Sequence, residues 1–146
     1  MYLRFCMKFL TAEGIEIRTA ILTISVDGKY GTGTTLKVLD NSGYSSIEGS
    51  HILVAAGKEP NTSDIGILEN GIELISSGHI KVDPHLRTTL PGAYAVGDCA
   101  GIPHFTNIGY DDYQIVVQAI SNSGYRSTSG RLVPSTLFTS PEVAYI

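Results

Sequence analysis

Ala93-Tyr94-Ala95-Val96-Gly97-Asp98 is a dry run that ends in a glycine and a carboxylate. The Pro91-Gly92 turn precedes it, and the alternation-free apolar character predicts a strand covered on both faces. A helical pattern follows. Phe105, Ile108, Asp112, Ile115, Val116, Ala119 and Ile120 fall on one side, with Pro103 in the expected first turn. A carboxylate at the carboxyl end of a buried strand sits where open α/β sheets bind ligands. An ionised aspartate only accepts hydrogen bonds, which suits a sugar or sugar-alcohol hydroxyl. Gly97 lacks a Cβ, so a ligand could approach the backbone there, and the next helix would offer free N–H groups. On composition alone, Gly-Asp after a strand also suits a plain turn, and both readings stand at this point.

Upstream, Ile52-Leu53-Val54-Ala55-Ala56 is a second continuous apolar run, predicted as a strand of a parallel sheet and closed by Gly57. Residues 19 to 51 read as a small antiparallel meander. Leu22, Ile24 and Val26 alternate with Thr23 and Ser25, Asp27-Gly28 is the first turn signal, and Asp40-Asn41-Ser42-Gly43 is the second. Leu3, Met7 and Leu10 predict a helix already under way at residue 1, stopped by Gly14. Ile80 to Val82 reads as a short strand, Ser121 to Gly130 as a flexible loop or linker, and Leu132 to Ile146 as β-like.

The 146 residues suit one domain, or parts of two. A formal charge of −4 argues against nucleic acid as a main partner. The charged fraction is only 16%, below the roughly 25% usual for soluble domains. From such dryness the expectation is either that much of the surface meets something else or that the chain is a piece of a larger protein. Arg4 and Lys8 break any leader-like apolar run, and no stretch approaches a membrane span. The two cysteines, Cys6 and Cys99, form no C-x-x-C or zinc spacing, so a reducing, cytoplasmic compartment is expected. Gly28, Gly31 and Gly33 do not match the dinucleotide fingerprint and read as hairpin glycines. His51, His79, His85 and His104 are scattered, without metal-ligand spacing.

Together these motifs carry a resemblance. Ala55-Ala56-Gly57-Lys58-Glu59-Pro60-Asn61 resembles the A-x-G-R-x-P-N segment of class I pyridine nucleotide–disulfide oxidoreductases. Gly78-His79-Ile80-Lys81-Val82-Asp83 and Thr88 to Asp98 resemble their second FAD motif. Phe105 to Tyr113 is similar to the branch of mercuric reductases and reactive-chlorine-resistance reductases, and Val133 to Ala144 to the opening of the dimerisation domain. The resemblance implies an α/β fold: partial FAD/NAD(P)-binding Rossmann-like, three-layer ββα domains with an antiparallel β-meander. It implies residues 1–57 as the C-terminal half of the NAD(P)-binding domain, 58–125 as the returning segment of the FAD-binding domain, and 126–146 as linker and start of the dimerisation domain. FAD and NAD(P)H are the implied cofactors, and a homodimer is the implied state of the intact parent. Asp98 matches the aspartate on the FAD ribityl chain, Gly97 its glycine partner, and Gly57 the glycine near the nicotinamide nucleotide. His104, Phe105 and Thr106 fall on the segment that passes the flavin ring. Lys58 stands where arginine is usual, so the planar fork is lost there.

The family's first G-x-G-x-x-G and its C-x-x-x-x-C redox pair are not in this sequence, and Cys6 and Cys99 match neither redox cysteine. His104 is not the family's catalytic histidine. The expectation is therefore a partial oxidoreductase with no catalytic residue of its own, inactive alone. The alternative is a non-catalytic remnant, acting as an interaction module or as a non-functional truncation.

Overall fold

The computed structural model describes residues 2–101 and 103–146, with the side chains of residues 2–4 left aside. The chain divides into two compact units, Met1–Ala56 and Gly57–Ile146.

The first unit opens with α1, Tyr2–Ala12. Phe5 and Phe9 lie one turn apart and meet edge-on, with ring centroids 4.4 Å apart. The helix ends as the glycine predicts: Gly14 takes φ +85°, and the Gly14 and Ile15 N–H groups bond back to Thr11 and Leu10. The expected start at residue 1 lies outside the described residues. Next comes the predicted meander, with β1 at Leu22–Lys29, β2 at Gly33–Asp40 and β3 at Gly43–Gly49, all antiparallel. Val38, in the central strand, is its most buried side chain. The β2–β3 turn falls at Asn41-Ser42, and the Asp40 carboxylate accepts from both the Ser42 N–H and hydroxyl.

Two local expectations fail here. Asp27-Gly28 is not the first turn but lies inside β1, paired with Thr35 and Thr34; the chain reverses between Lys29 and Gly33. Gly28 (φ +111°) has another use: a Cβ there would strike the Gly33 carbonyl. The strict in–out alternation of β1 also fails, because the register shifts between Thr23 and Ser25, and Leu22, Ile24 and Val26 are all exposed.

The second unit is organised by α2, Thr106–Ser121, which packs on a 3₁₀ turn at Gly97–Ala100. Ile108, Asp112 and Ile115 form its buried stripe, and Ile67, Leu86 and Ala95 are buried in the same unit. The helix starts later than predicted. Phe105 is its N-cap, which leaves Pro103 outside the first turn. A short pair, β4 (Ser135–Leu137) and β5 (Val143–Tyr145), closes the chain.

The dry strands are the main correction. Ile52–Ala56 forms no strand, and Leu53 and Val54 are 91% and 77% exposed. Ala93–Val96 and Ile80–Val82 are reduced to single bridges, Arg87 to Tyr94 and Leu74 to Ile80. A parallel-type strand exists only where neighbours take up its N–H and C=O groups. Among the described residues, no ladder forms beside these runs. The predicted flexible linker is also tied down. The Thr128 N–H bonds the Pro84 carbonyl, and Arg126 reaches Asp111 and Gln114 on α2. No helix among the described residues is long and apolar enough to cross a membrane.

Candidate functional site

In the second unit, Lys58, Glu59, Pro60, His79, Asp98 and His104 line a cavity of about 280 Å³, with Asn61 and Cys99 completing it. Small-molecule pockets run from roughly 300 Å³ upward, so this cleft suits one portion of a cofactor rather than a whole dinucleotide.

Each wall has a local cause. Thr62 donates its hydroxyl to the Gly78 carbonyl at 2.8 Å, fixing the approach to His79. The Ile80 N–H donates to the Cys99 carbonyl at 2.8 Å, which seats that segment against the 3₁₀ turn. His79 is thereby buried (7% exposed) beside the turn, its Nδ1 2.9 Å from the Ser77 hydroxyl. Its ring stacks on His104, with centroids 5.5 Å apart and planes 29° apart.

Asp98 stands at the mouth, with its side chain 60% exposed. Lys58 Nζ donates to Oδ2 at 3.2 Å, and His104 Nδ1 lies 3.5 Å from Oδ1. The latter is an electrostatic distance without hydrogen-bond alignment, so His104 Nδ1 is a buried polar atom without a hydrogen-bond partner. The Lys58 hydrogen bond holds the Asp98 carboxyl below its ordinary value of 3.8, with the charges of Lys58 and His104 adding to it. A depressed carboxyl pKa means that the favourable interaction is present above the ordinary value and lost as pH falls through the lowered one. Lys58→Ala should therefore move the Asp98 carboxyl titration up toward 3.8, as read from its ¹³C shift.

Gly97 opens the 3₁₀ turn at φ +68°, a conformation that costs roughly 1–2 kcal/mol for a residue with a Cβ. Nothing lies within 4 Å of where that Cβ would point, so the space beside it is open. Gly57 (φ +112°) is equally open but does not line the cavity. Phe105 and Thr106 form the N-terminus of α2, which no side chain caps. They too stay out of the cavity lining, whereas His104 is in it. The structure thus brings Asp98 and His104 together in the cavity and leaves Gly57, Gly97, Phe105 and Thr106 outside its lining, Gly97 adjoining Asp98 in sequence but lining a second cleft of about 270 Å³. His79 is not legible as a site residue in the sequence, because its stacking partner lies 25 positions away. Lys58 lacks arginine's fork, yet as a point charge it reaches Asp98.

Residues 3–122 match the family model described as pyridine nucleotide-disulphide oxidoreductase. Over 118 residues, the chain is 33% identical to an NAD(P)H dehydrogenase (quinone) of Mycobacterium tuberculosis, covering 81% of this chain and 23% of that protein. It is 28% identical to the dihydrolipoyl dehydrogenase of Geobacillus stearothermophilus over 95% of this chain and 29% of the relative. The fold agrees with the crystal structure of LpdA from Mycobacterium tuberculosis, with TM-score 0.83, 30% identity, and coverage of 94% of this chain and 29% of that one. It also agrees with the HOCl-induced flavoprotein disulfide reductase RclA from Escherichia coli, with TM-score 0.80, 27% identity, and coverage of 94% and 31%. The chain has an α/β fold of the FAD-dependent oxidoreductase type. It belongs to the pyridine nucleotide-disulphide oxidoreductase family, flavoproteins that use FAD and NAD(P)H, and spans about a quarter to a third of the length of the relatives it matches.

Proposed function

We propose that this chain supplies the FAD polyol and flavin-edge contacts of an NAD(P)H-using oxidoreductase. The carrying observation is the Asp98 carboxylate at the cavity mouth, next to the open, left-handed Gly97 and the unpartnered Nδ1 of His104. These residues fit a polyol. A carboxylate has about four acceptor positions, and Lys58 fills only one with a proper hydrogen bond. Ribityl hydroxyls would donate to the others, and a hydroxyl oxygen or proton would satisfy His104 Nδ1. The open side of Gly97 lets such a chain lie against the backbone.

His104, Phe105 and Thr106 lead into the uncapped start of α2, whose positive end favours the negative charge that develops on a reduced flavin. The bound flavin supplies the hydride and electron chemistry. This chain's residues bind it, orient it and offer a positive environment. Gly57 would lie near the nicotinamide nucleotide. Residues 1–57 would complete the nicotinamide domain, 58–125 the FAD domain, and 126–146 would lead into the dimer domain of a homodimeric, cytoplasmic parent.

Two measurements test this reading. Titrating FAD into the purified chain should change flavin fluorescence saturably, and a flat titration would overturn it. The chain alone should not oxidise NAD(P)H steadily, because the cysteine pair and catalytic histidine are not among its residues. Sustained turnover without an added partner would contradict that part.

A further inference from the structure

We infer that Asp112, locked by Arg131, is the positioning residue of the Gly97–Asp98 turn. The inference rests on the reading of Asp98 as the polyol acceptor and adds the residue that aims it. Asp112 lies on the apolar face of α2 and is only 3% exposed. A carboxylate buried so deeply must have its charge and lone pairs engaged. Its Oδ2 accepts the Gly97 N–H at 2.9 Å, and its Oδ1 accepts from Arg131 Nη1.

The Gly97 N–H needs that acceptor. Val96 is extended and Gly97 turns left-handed, so the chain leaves the extended path here. In place of a neighbouring strand, a helix side chain receives the donor. The bond fixes the Val96–Gly97 peptide plane at the entry to the turn, and so the start from which the Asp98 carboxylate is directed one residue later. Arg131 comes from the segment after α2 and also lies 3.4 Å from Asp111 Oδ2. Arg126 pairs with Asp111 Oδ1 at 2.5 Å and with Gln114, so the 122–131 loop is clasped to the helix. A glycine turn, a helix and a downstream loop thus meet on one carboxylate.

Asp112→Asn tests this without changing side-chain size. The two donors face different oxygens and asparagine has only one; the charged Arg131 guanidinium takes that carbonyl, and the NH₂ then faces the Gly97 N–H. The first readout is hydrogen exchange of the Gly97 amide in flavin-free protein. It should accelerate by about tenfold or more while the Ile115 amide keeps its protection. The second is riboflavin affinity, which should fall by about three- to tenfold in Asp112→Asn and not fall further when Asp98→Asn is already present. Unchanged Gly97 exchange, or full additivity with Asp98→Asn, overturns the inference. The exchange is read without flavin, so it decides on Asp112 independently. If Asp98→Asn alone leaves riboflavin binding intact, it is the polyol reading that fails. Should Asp112→Asn not fold, Arg131→Gln keeps the carboxylate but frees it. Faster Gly97 exchange and weaker riboflavin binding in that variant then support the inference, and unchanged exchange overturns it.

Discussion

Replacing Ile115 by alanine is expected to destabilise the Gly57–Ile146 unit by about 2–5 kcal/mol, the range for deleting a large aliphatic side chain from a closed core. Ile115 is fully buried at the middle of α2, one turn from Asp112 and two from Ile108. Those three residues are the buried stripe of the helix. Removing its most deeply buried member leaves a cavity beneath the element that carries the Gly97 acceptor. Ile120 is 68% exposed on the same helix, so Ile120→Ala should cost well under about 1 kcal/mol. Urea unfolding followed by far-UV circular dichroism checks both. Equal midpoints for the two variants would mean that α2 is not anchored through Ile115.

The second large effect is expected at the turn. Asp98→Asn should weaken flavin binding by about 10- to 100-fold, since a hydrogen bond to a charged acceptor contributes roughly 1.5–3 kcal/mol. Asparagine keeps one carbonyl but adds an NH₂ beside the Lys58 ammonium, which can only donate. Asp98 is well exposed, so the substitution should leave the unfolding midpoint nearly unchanged. Loss of affinity without loss of stability separates a ligand contact from a structural one.

Particular residues show how far the fold and the site are legible in the sequence. The β2–β3 turn is legible because Asp40-Asn41-Ser42-Gly43 makes its own hydrogen bonds within four positions. The end of α1 is legible for the same reason, since a left-handed glycine acts locally. Asp27-Gly28 misleads because the same dipeptide signals a turn and also permits close strand approach, and the Gly33 carbonyl decides between the two. The runs at 52–56 and 93–96 are dry, as their composition says, but among the described residues the first pairs with nothing and the second only through the single Arg87–Tyr94 bridge. Strand pairing is a property of neighbours, and a run does not name its neighbour. Asp98 and Gly97 stand out as a motif, and His104 comes with the family resemblance. Lys58 and His79 join them only through folding, across 40 and 19 positions from Asp98. Asp112 does leave a signal: a lone carboxylate among apolar residues at helical spacing calls for a buried partner, though nothing in the spacing points to Gly97 or Arg131.

In the proposed function the Asp98 carboxylate grips a flavin's polyol chain. This grip is tested most directly by comparing riboflavin with lumiflavin, which has the same ring and no ribityl chain, in the wild type and in Asp98→Asn. Fluorescence titration should show riboflavin preferred by about tenfold or more in the wild type, with the preference collapsing toward unity in the variant. An equal preference in both proteins would place the polyol elsewhere and contradict the account.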